Sequence, residues 1–207
     1  MYIPAHFTET DPVIIARLIR DNGFATLVSG AGEVLTATHL PMTHHPEVGA
    51  HGVLRGHVAR ANPHWRSFET GGPALAIFSG PHGFVSPRWY QPGNSVPTWL
   101  YEVVHVYGTA RTLEGETALH PLLESLRAQY DPTWSMAGLS ADYLERMTRA
   151  VVGIEIAITR IEAKRKLNQN RSAADIAGVV AALEASGSDN DRALAAAMRQ
   201  AAPAAIP

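Results

Sequence analysis

The sequence contains no cysteine, which excludes disulfides, thiolate zinc sites and cysteine-ligated iron–sulfur clusters. It has no long apolar run either. No segment approaches the roughly 20 residues of a membrane-spanning helix, and the opening MYIPAHFTETDP lacks the basic and apolar regions of a leader. A cytoplasmic protein with no membrane partner is expected. An excess of one charge is also missing, since 17 Lys+Arg face 19 Asp+Glu for a formal net charge of −2. Without a global basic field, binding a nucleic-acid backbone requires a local patch or a dimer surface. The glycine-loop motifs G-x-G-x-x-G after a strand and G-x-x-x-x-G-K-[ST] do not occur. Any phosphate must be held in another way.

What is present suffices for a real core: 207 residues, 46% hydrophobic and 17% charged. TDPVIIARLIRDNG reads as a helix, with Thr10 or Asp11 as cap, Pro12 at the first position and Gly23 as the stop. FATLVS, a GAGE turn and VLTATHLPM form a hairpin pattern. VLRGHVA, PALAIFSG, GFVSP and PTWLYEVVHVYGTARTL follow as separate strands, with a short helix NPHWRSFETGG after the first. Helical spacing returns from Glu116 to Tyr130 and from Ala141 to Ala150. In GIEIAITRIEAKRKL, Ile154, Ile156 and Ile158 alternate, but Ile161, Ala163 and Leu167 fall one residue out of step. A β-bulge near Arg160 would account for the shift. The many short strands, without strand–helix–strand alternation, predict a mainly β protein with flanking helices (α+β) built on an antiparallel barrel. The expected organisation is a barrel domain over 1–171, a helical pair over 172–201 docking on the barrel or dimer, and a flexible tail over 202–207.

Two stretches carry candidate chemistry. In GHVARANPHW a strand ends near His57, Arg60 occupies the turn and Asn62 caps a helix. A phosphate there would meet a guanidinium, a carboxamide and free helix amides; an ordinary N-cap with a solvated arginine is the simpler account. KRKLNQNR places four cations and three carboxamides directly after a buried strand. Extended geometry there aims Lys164, Lys166 and Asn168 from one face, with Lys164 and Arg165 left solvent-exposed. The histidine-rich segment from His39 to His57, which includes His44, His45 and His51, has no metal-ligand spacing and no fixed carboxylate partner. No metal site is expected, and nothing singles out an axial haem ligand.

Six ordered blocks, MYIPAHF, THLP, GHVARANPHW, GPHGFVSPRWY, VPTWLYEVVHVYG and KLNQNR, resemble the PaiB-type negative transcriptional regulators, a family of flavin mononucleotide (FMN)-binding split-barrel proteins. The resemblance implies a homodimer of split barrels with FMN in grooves between subunits. It makes Thr36, Thr38 and His39 candidates for ring or phosphate contacts. His57, Arg60 and Asn62 fall where related split barrels hold the phosphate, and Thr98 and Trp99 fall where a strand approaches the cofactor. Asn168, Gln169 and Arg171 are expected to bond the flavin's phosphate, ribityl chain or ring edge; the alternative is that they only lead into the next helix, capped by Asn170 or Ser172. Two positions depart from the family: Leu100 stands where Asn is usual, removing a polar contact expected near the flavin, and Asn168 stands where Ser is usual.

Catalytic residues are not identifiable. No nicotinamide motif or arguable acid–base pair occurs, which leans against an enzyme. The function expected is that of an FMN-binding negative transcriptional regulator, flavin-responsive or flavin-stabilised. The alternative is an FMN-dependent oxidoreductase of the flavin reductase or pyridoxamine-phosphate-oxidase-like type. DNA as a partner follows from the resemblance alone, because DNDRALAAAMRQ is too alanine-rich for a recognition helix.

Overall fold

The computed structural model describes residues 1–31, 34–93 and 95–201. In chain order the elements are β1 (Thr8–Glu9), α1 (Pro12–Asp21), β2 (Phe24–Ala31), β3 (Val34–His45), β4 (Val53–Ala59), β5 (Gly72–Val85) and β6 (Thr98–Leu113). They continue as α2 (Glu116–Tyr130), α3 (Ala141–Arg149), β7 (Val151–Lys166), α4 (Ala173–Ala185) and α5 (Asp189–Ala201). The seven strands make an antiparallel sheet in the order β1-β7-β4-β3-β2-β5-β6, and β7 also pairs with β6. The strand order therefore closes on itself, which is barrel topology. Three strands, β5, β6 and β7, run from one compact unit of the chain into another.

One unit holds Ala16–Phe78 and His105–Ile161. The β2–β3 hairpin in it runs in the register Phe24↔Pro41 to Ala31↔Val34. The expected GAGE turn begins inside β2, and residues 32 and 33 lie outside the described residues. β4 continues the sheet from β3 to β7, with His57 opposite Gly153. α2 covers β7 at that glycine, where a Cβ would stand 2.9 Å from Leu119 and 3.1 Å from Leu122. Leu119, Leu122 and Leu126 are buried accordingly, while α3 buries no residue.

The other unit holds Met1–Ile15, Ser79–Val104 and the chain from Glu162 on. Its core is built on α4 and α5: Ile176, Val179, Val180, Leu183, Leu194, Ala195, Ala197 and Met198 pack with Val85, Tyr90, Leu100 and Leu167. Gly178 allows α4 to approach, since a Cβ there would lie 2.3 Å from the Trp89 carbonyl oxygen. Ser172 caps α4 by accepting from the Asp175 amide at 3.1 Å. The cations of the last helices are paired at the surface, Arg192 with Asp189 and Arg199 with Glu184. Residues 202–207, expected as a tail, lie outside the described residues.

Three local expectations are corrected. PALAIFSG and GFVSP are one strand, because the fixed φ of Pro81 is compatible with extended chain wherever a ladder N–H is not called on. Lys164 and Arg165 are not exposed; they are 7% and 6% accessible. Burial in β7 is continuous from Val152 to Ile156, lapses from Ala157 to Glu162 except at Ile158, and is continuous again from Ala163 to Arg165, so both faces of the strand are covered at Lys164 and Arg165. Leu100 lies fully buried against the C-terminal helices, so this departure from the family fills a core.

Candidate functional site

The candidate residues fall into the two units. In the first, Thr38 on β3 is half-buried and central. Its Oγ1 lies 2.8 Å from His64 Nδ1 and accepts from Asn62 Nδ2 at 3.2 Å. Asn62 also caps the short helix Pro63–Phe68, its Oδ1 accepting the His64 amide at 3.0 Å. His64 Nε2 is 2.8 Å from Ser29 Oγ on β2, opposite Thr36. His39 is exposed, with Nδ1 3.1 Å from Thr26 Oγ1 and its ring stacked on Phe24. Of the expected trio of His57, Arg60 and Asn62, only Asn62 bonds into this cluster, together with Ser29 and His64, which sequence reasoning did not assign. The only signal for His64 was its place in the GHVARANPHW block.

Arg60 is not a free surface cation. Its Nε donates to the Arg149 carbonyl at 2.8 Å, and its Nη2 donates to Glu114 Oε2 at 2.9 Å and to the Val151 carbonyl at 3.2 Å. These bonds fix the guanidinium plane at the end of β4. His57 Nδ1 is buried with no hydrogen-bond partner among the described residues. Burial lowers the proton affinity of the His57 and His64 rings below the ordinary value of 6.5; at His44, burial acts first and neighbouring His45 second.

These imidazoles set an acid limit on stability. The unfolded chain takes up their protons near pH 6.5, whereas the folded chain resists until a lower pH, so below about 6.5 the unfolded state binds more protons. Stability is therefore full above about pH 7 and falls on acidification through pH 6.5. Burial alone would push the Glu155 carboxyl up, but the Arg111 and Arg55 guanidiniums reverse this and hold it below 4.5, outside that window. A lower urea midpoint at pH 5.5 than at pH 7.5 is expected, with a shallower dependence in His64→Asn; a flat profile would contradict the burial argument.

In the second unit, β7 ends in a clamp. Asn168 adopts the left-handed conformation, φ 66°, which asparagine tolerates better than most residues. Its buried amide donates to the Tyr90 hydroxyl at 3.1 Å. Gln169 is committed to the backbone at both ends: Nε2 donates to the Arg165 carbonyl at 2.6 Å, and Oε1 accepts the Leu167 amide at 2.8 Å. The Arg171 amide closes the turn on the Asn168 carbonyl at 2.9 Å. This folded-back turn lays the Arg171 guanidinium over the Tyr90 ring, 4.8 Å from its centroid. Among the described residues that guanidinium has no ion-pair or hydrogen-bond partner. Lys166 Nζ donates to Thr98 Oγ1 at 2.6 Å, tying the strand end to the start of β6. Trp99 beside it is 49% exposed, stacked with His82 and edge-on to Phe84, itself 50% exposed.

The residues fit a flavin nucleotide in kind. An uncommitted guanidinium suits a phosphate, hydroxyls and amides suit a ribityl chain, and exposed aromatic faces suit a planar ring. Among the described residues no helix is long and apolar enough to cross a membrane, and no group of three or more His, Asp or Glu is placed to hold a metal ion.

An antiparallel sheet closed through β6 and β7, with helices packed beside it, defines the split-barrel class of flavin-binding proteins. Within that class the chain belongs to the family described as "Putative FMN-binding domain", which matches residues 1–160; FMN is that family's cofactor. The chain is 35% identical over 198 residues to "Protease synthase and sporulation protein PAI 2" of Bacillus subtilis (strain 168), covering 94% of this chain and 95% of the relative. The PaiB-type resemblance is borne out. Among solved structures, the FAD and haem binding protein from Mycobacterium smegmatis matches with a TM-score of 0.62 and 19% identity, over 82% of this chain and 78% of that one. The flavocytochrome Anf3 from Azotobacter vinelandii matches with a TM-score of 0.60 and 13% identity, over 79% and 72%. These two likenesses concern the fold alone.

Proposed function

We propose that the protein binds FMN as a homodimer and acts as a flavin-dependent negative regulator of transcription. The observation that carries the flavin reading is the Arg171 guanidinium, held on Tyr90 without an anionic partner among the described residues. A cation positioned in this way, in a unit that also exposes Trp99 and Phe84, is matched by a dianionic phosphate and an aromatic ring. Flavin lies in a groove between subunits. In the unit of Ala16–Phe78 and His105–Ile161 the residues proposed for flavin contact are Thr36, Thr38, His39, His57, Arg60 and Asn62; in the other unit they are Thr98, Trp99, Asn168, Gln169 and Arg171. Asn168 and Gln169 act there by holding the turn, since their amides are already bonded within the protein. When bound, FMN supplies a redox-active ring.

Support for the regulatory output comes from the 35% identical relative, whose name ties it to protease synthesis and sporulation. Direct reading of DNA by α5 is not part of the proposal, because its Leu194, Ala195, Ala197 and Met198 are buried and Arg192 and Arg199 are paired. An absorption spectrum of the purified protein, with light scattering for its mass, tests the flavin and dimer parts. A colourless monomer that does not quench added FMN would reject both. Transcript profiling of a deletion strain complemented with wild type or Arg171→Ala tests regulation: repression restored by wild type alone is expected. Rapid anaerobic bleaching of the bound flavin by reduced nicotinamide would instead favour an oxidoreductase.

Arg60→Ala is expected to weaken FMN by about tenfold, close to 1.4 kcal/mol, and riboflavin much less. The effect is moderate because Glu114 already shares the charge of Arg60. Equal losses for both ligands in a fluorescence titration would remove Arg60 from the phosphate.

A further inference from the structure

We propose that Ser29 and His64 form a buried relay that sets the Thr38 hydroxyl as a hydrogen-bond donor to an acceptor oxygen of the bound flavin; this rests on the flavin-binding reading. Ser29 and His64 are 5% and 2% exposed, whereas Thr38 is only partly buried, at the outer end of the chain of contacts. The relay runs from Ser29 Oγ to His64 Nε2, 2.8 Å, and from His64 Nδ1 to Thr38 Oγ1, 2.8 Å.

Asn62 fixes how Thr38 can take part. Its Oδ1 must be the acceptor of the His64 amide, so its Nδ2 is the group that faces Thr38 and donates to it. Thr38 Oγ1 has thus accepted one bond and retains one lone pair and its own proton. A neutral imidazole carries one N–H, which permits two arrangements. With the proton on Nε2, His64 donates to Ser29 and accepts the Thr38 proton, so Thr38 offers a ligand only a lone pair. With the proton on Nδ1, Ser29 donates to His64, His64 donates to Thr38, and the Thr38 proton is released toward the ligand.

Both arrangements satisfy the ring nitrogens, and they differ by hydroxyl rotation and the position of one proton. A ligand moves such an equilibrium only by its different affinity for the two states. A phosphate oxygen or a ring carbonyl accepts and cannot donate, so it selects the Nδ1–H form. His64 and Ser29 are positioning residues that act through Thr38, and they make the site discriminate in favour of acceptor-bearing ligands.

Nitrogen-15 NMR of histidine-labelled protein reads the tautomer of His64, while quenching of flavin fluorescence reads binding independently. The Nδ1–H form is expected with FMN bound. If riboflavin gives the same form, the acceptor is on the ring or ribityl chain; if only FMN or inorganic phosphate does, it is the phosphate. Thr38→Val should weaken FMN by about tenfold, and Thr38→Ser should restore both affinity and tautomer. His64→Gln should weaken binding alone but add little in the Thr38→Val background, since it has no hydroxyl left to orient. The Nε2–H form in protein shown by fluorescence to hold FMN would overturn the relay and leave the flavin reading standing, as would additive losses in the double variant. Wild-type protein that binds no flavin would overturn both.

Discussion

Replacing Arg165 with methionine lowers stability by about 3 to 5 kcal/mol, a drop in melting temperature on the order of 10 °C for a chain of this length. Arg165 Nε donates to Glu102 Oε1 at 2.5 Å, and its Nη1 reaches Glu9 at 3.4 Å. The Arg165 and Glu102 side chains are only 7% and 5% exposed. Removing the guanidinium leaves Glu102 as a buried carboxylate without its counter-charge, and that uncompensated charge is the main cost. The double variant Arg165→Met with Glu102→Gln should recover much of the loss, because neither charge is then stranded. Thermal melts of the single and double variants decide the matter. A single variant as stable as wild type would mean that water reaches Glu102.

Arg171→Ala weakens FMN by about 1.5 to 3 kcal/mol, or roughly 10- to 150-fold, with little loss of stability in the absence of flavin. The reason is the division of labour in the turn. Arg171 makes a ring contact on Tyr90 and, among the described residues, no polar bond through its guanidinium. Gln169 spends its amide on the Arg165 carbonyl and the Leu167 amide. Gln169→Ala is therefore expected to lower the melting temperature of the flavin-free protein, and to affect binding only through the loosened turn. Melting curves with and without FMN separate the two, since a ligand contact shrinks the flavin-induced shift whereas a purely structural one lowers both curves equally. Equal behaviour of the two variants would end the assignment of Arg171 to the ligand.

The same stretch shows what was legible beforehand. Cation and amide residues after a buried strand mark LNQNR as unusual, and the sequence leaves Asn170 or Ser172 as the cap of α4, of which the structure uses Ser172. What the side chains bond to was not legible. Arg165 meets Glu102 across 63 positions and Glu9 across 156, and Ser29 meets His64 across 35. Pairings at such separations depend on strand register, which a single sequence does not display.

Short-range physics was written into the sequence itself. Asp11 and Pro12 open α1, with Asp11 Oδ1 accepting the Val13 amide at 2.8 Å. The β-branched runs make the β2–β3 hairpin, and the apolar alanine-rich segments make α4 and α5. Each of these follows from propensities and periodicities acting over a few residues. The tertiary structure decided the rest: that Pro81 lies within one strand, that Leu100 fills a core, that Arg165 is buried against carboxylates, and that His64 links Ser29 to Thr38. In each case the outcome depends on which distant group the fold brings opposite the residue. A buried charge or imidazole must be satisfied by whatever group stands there.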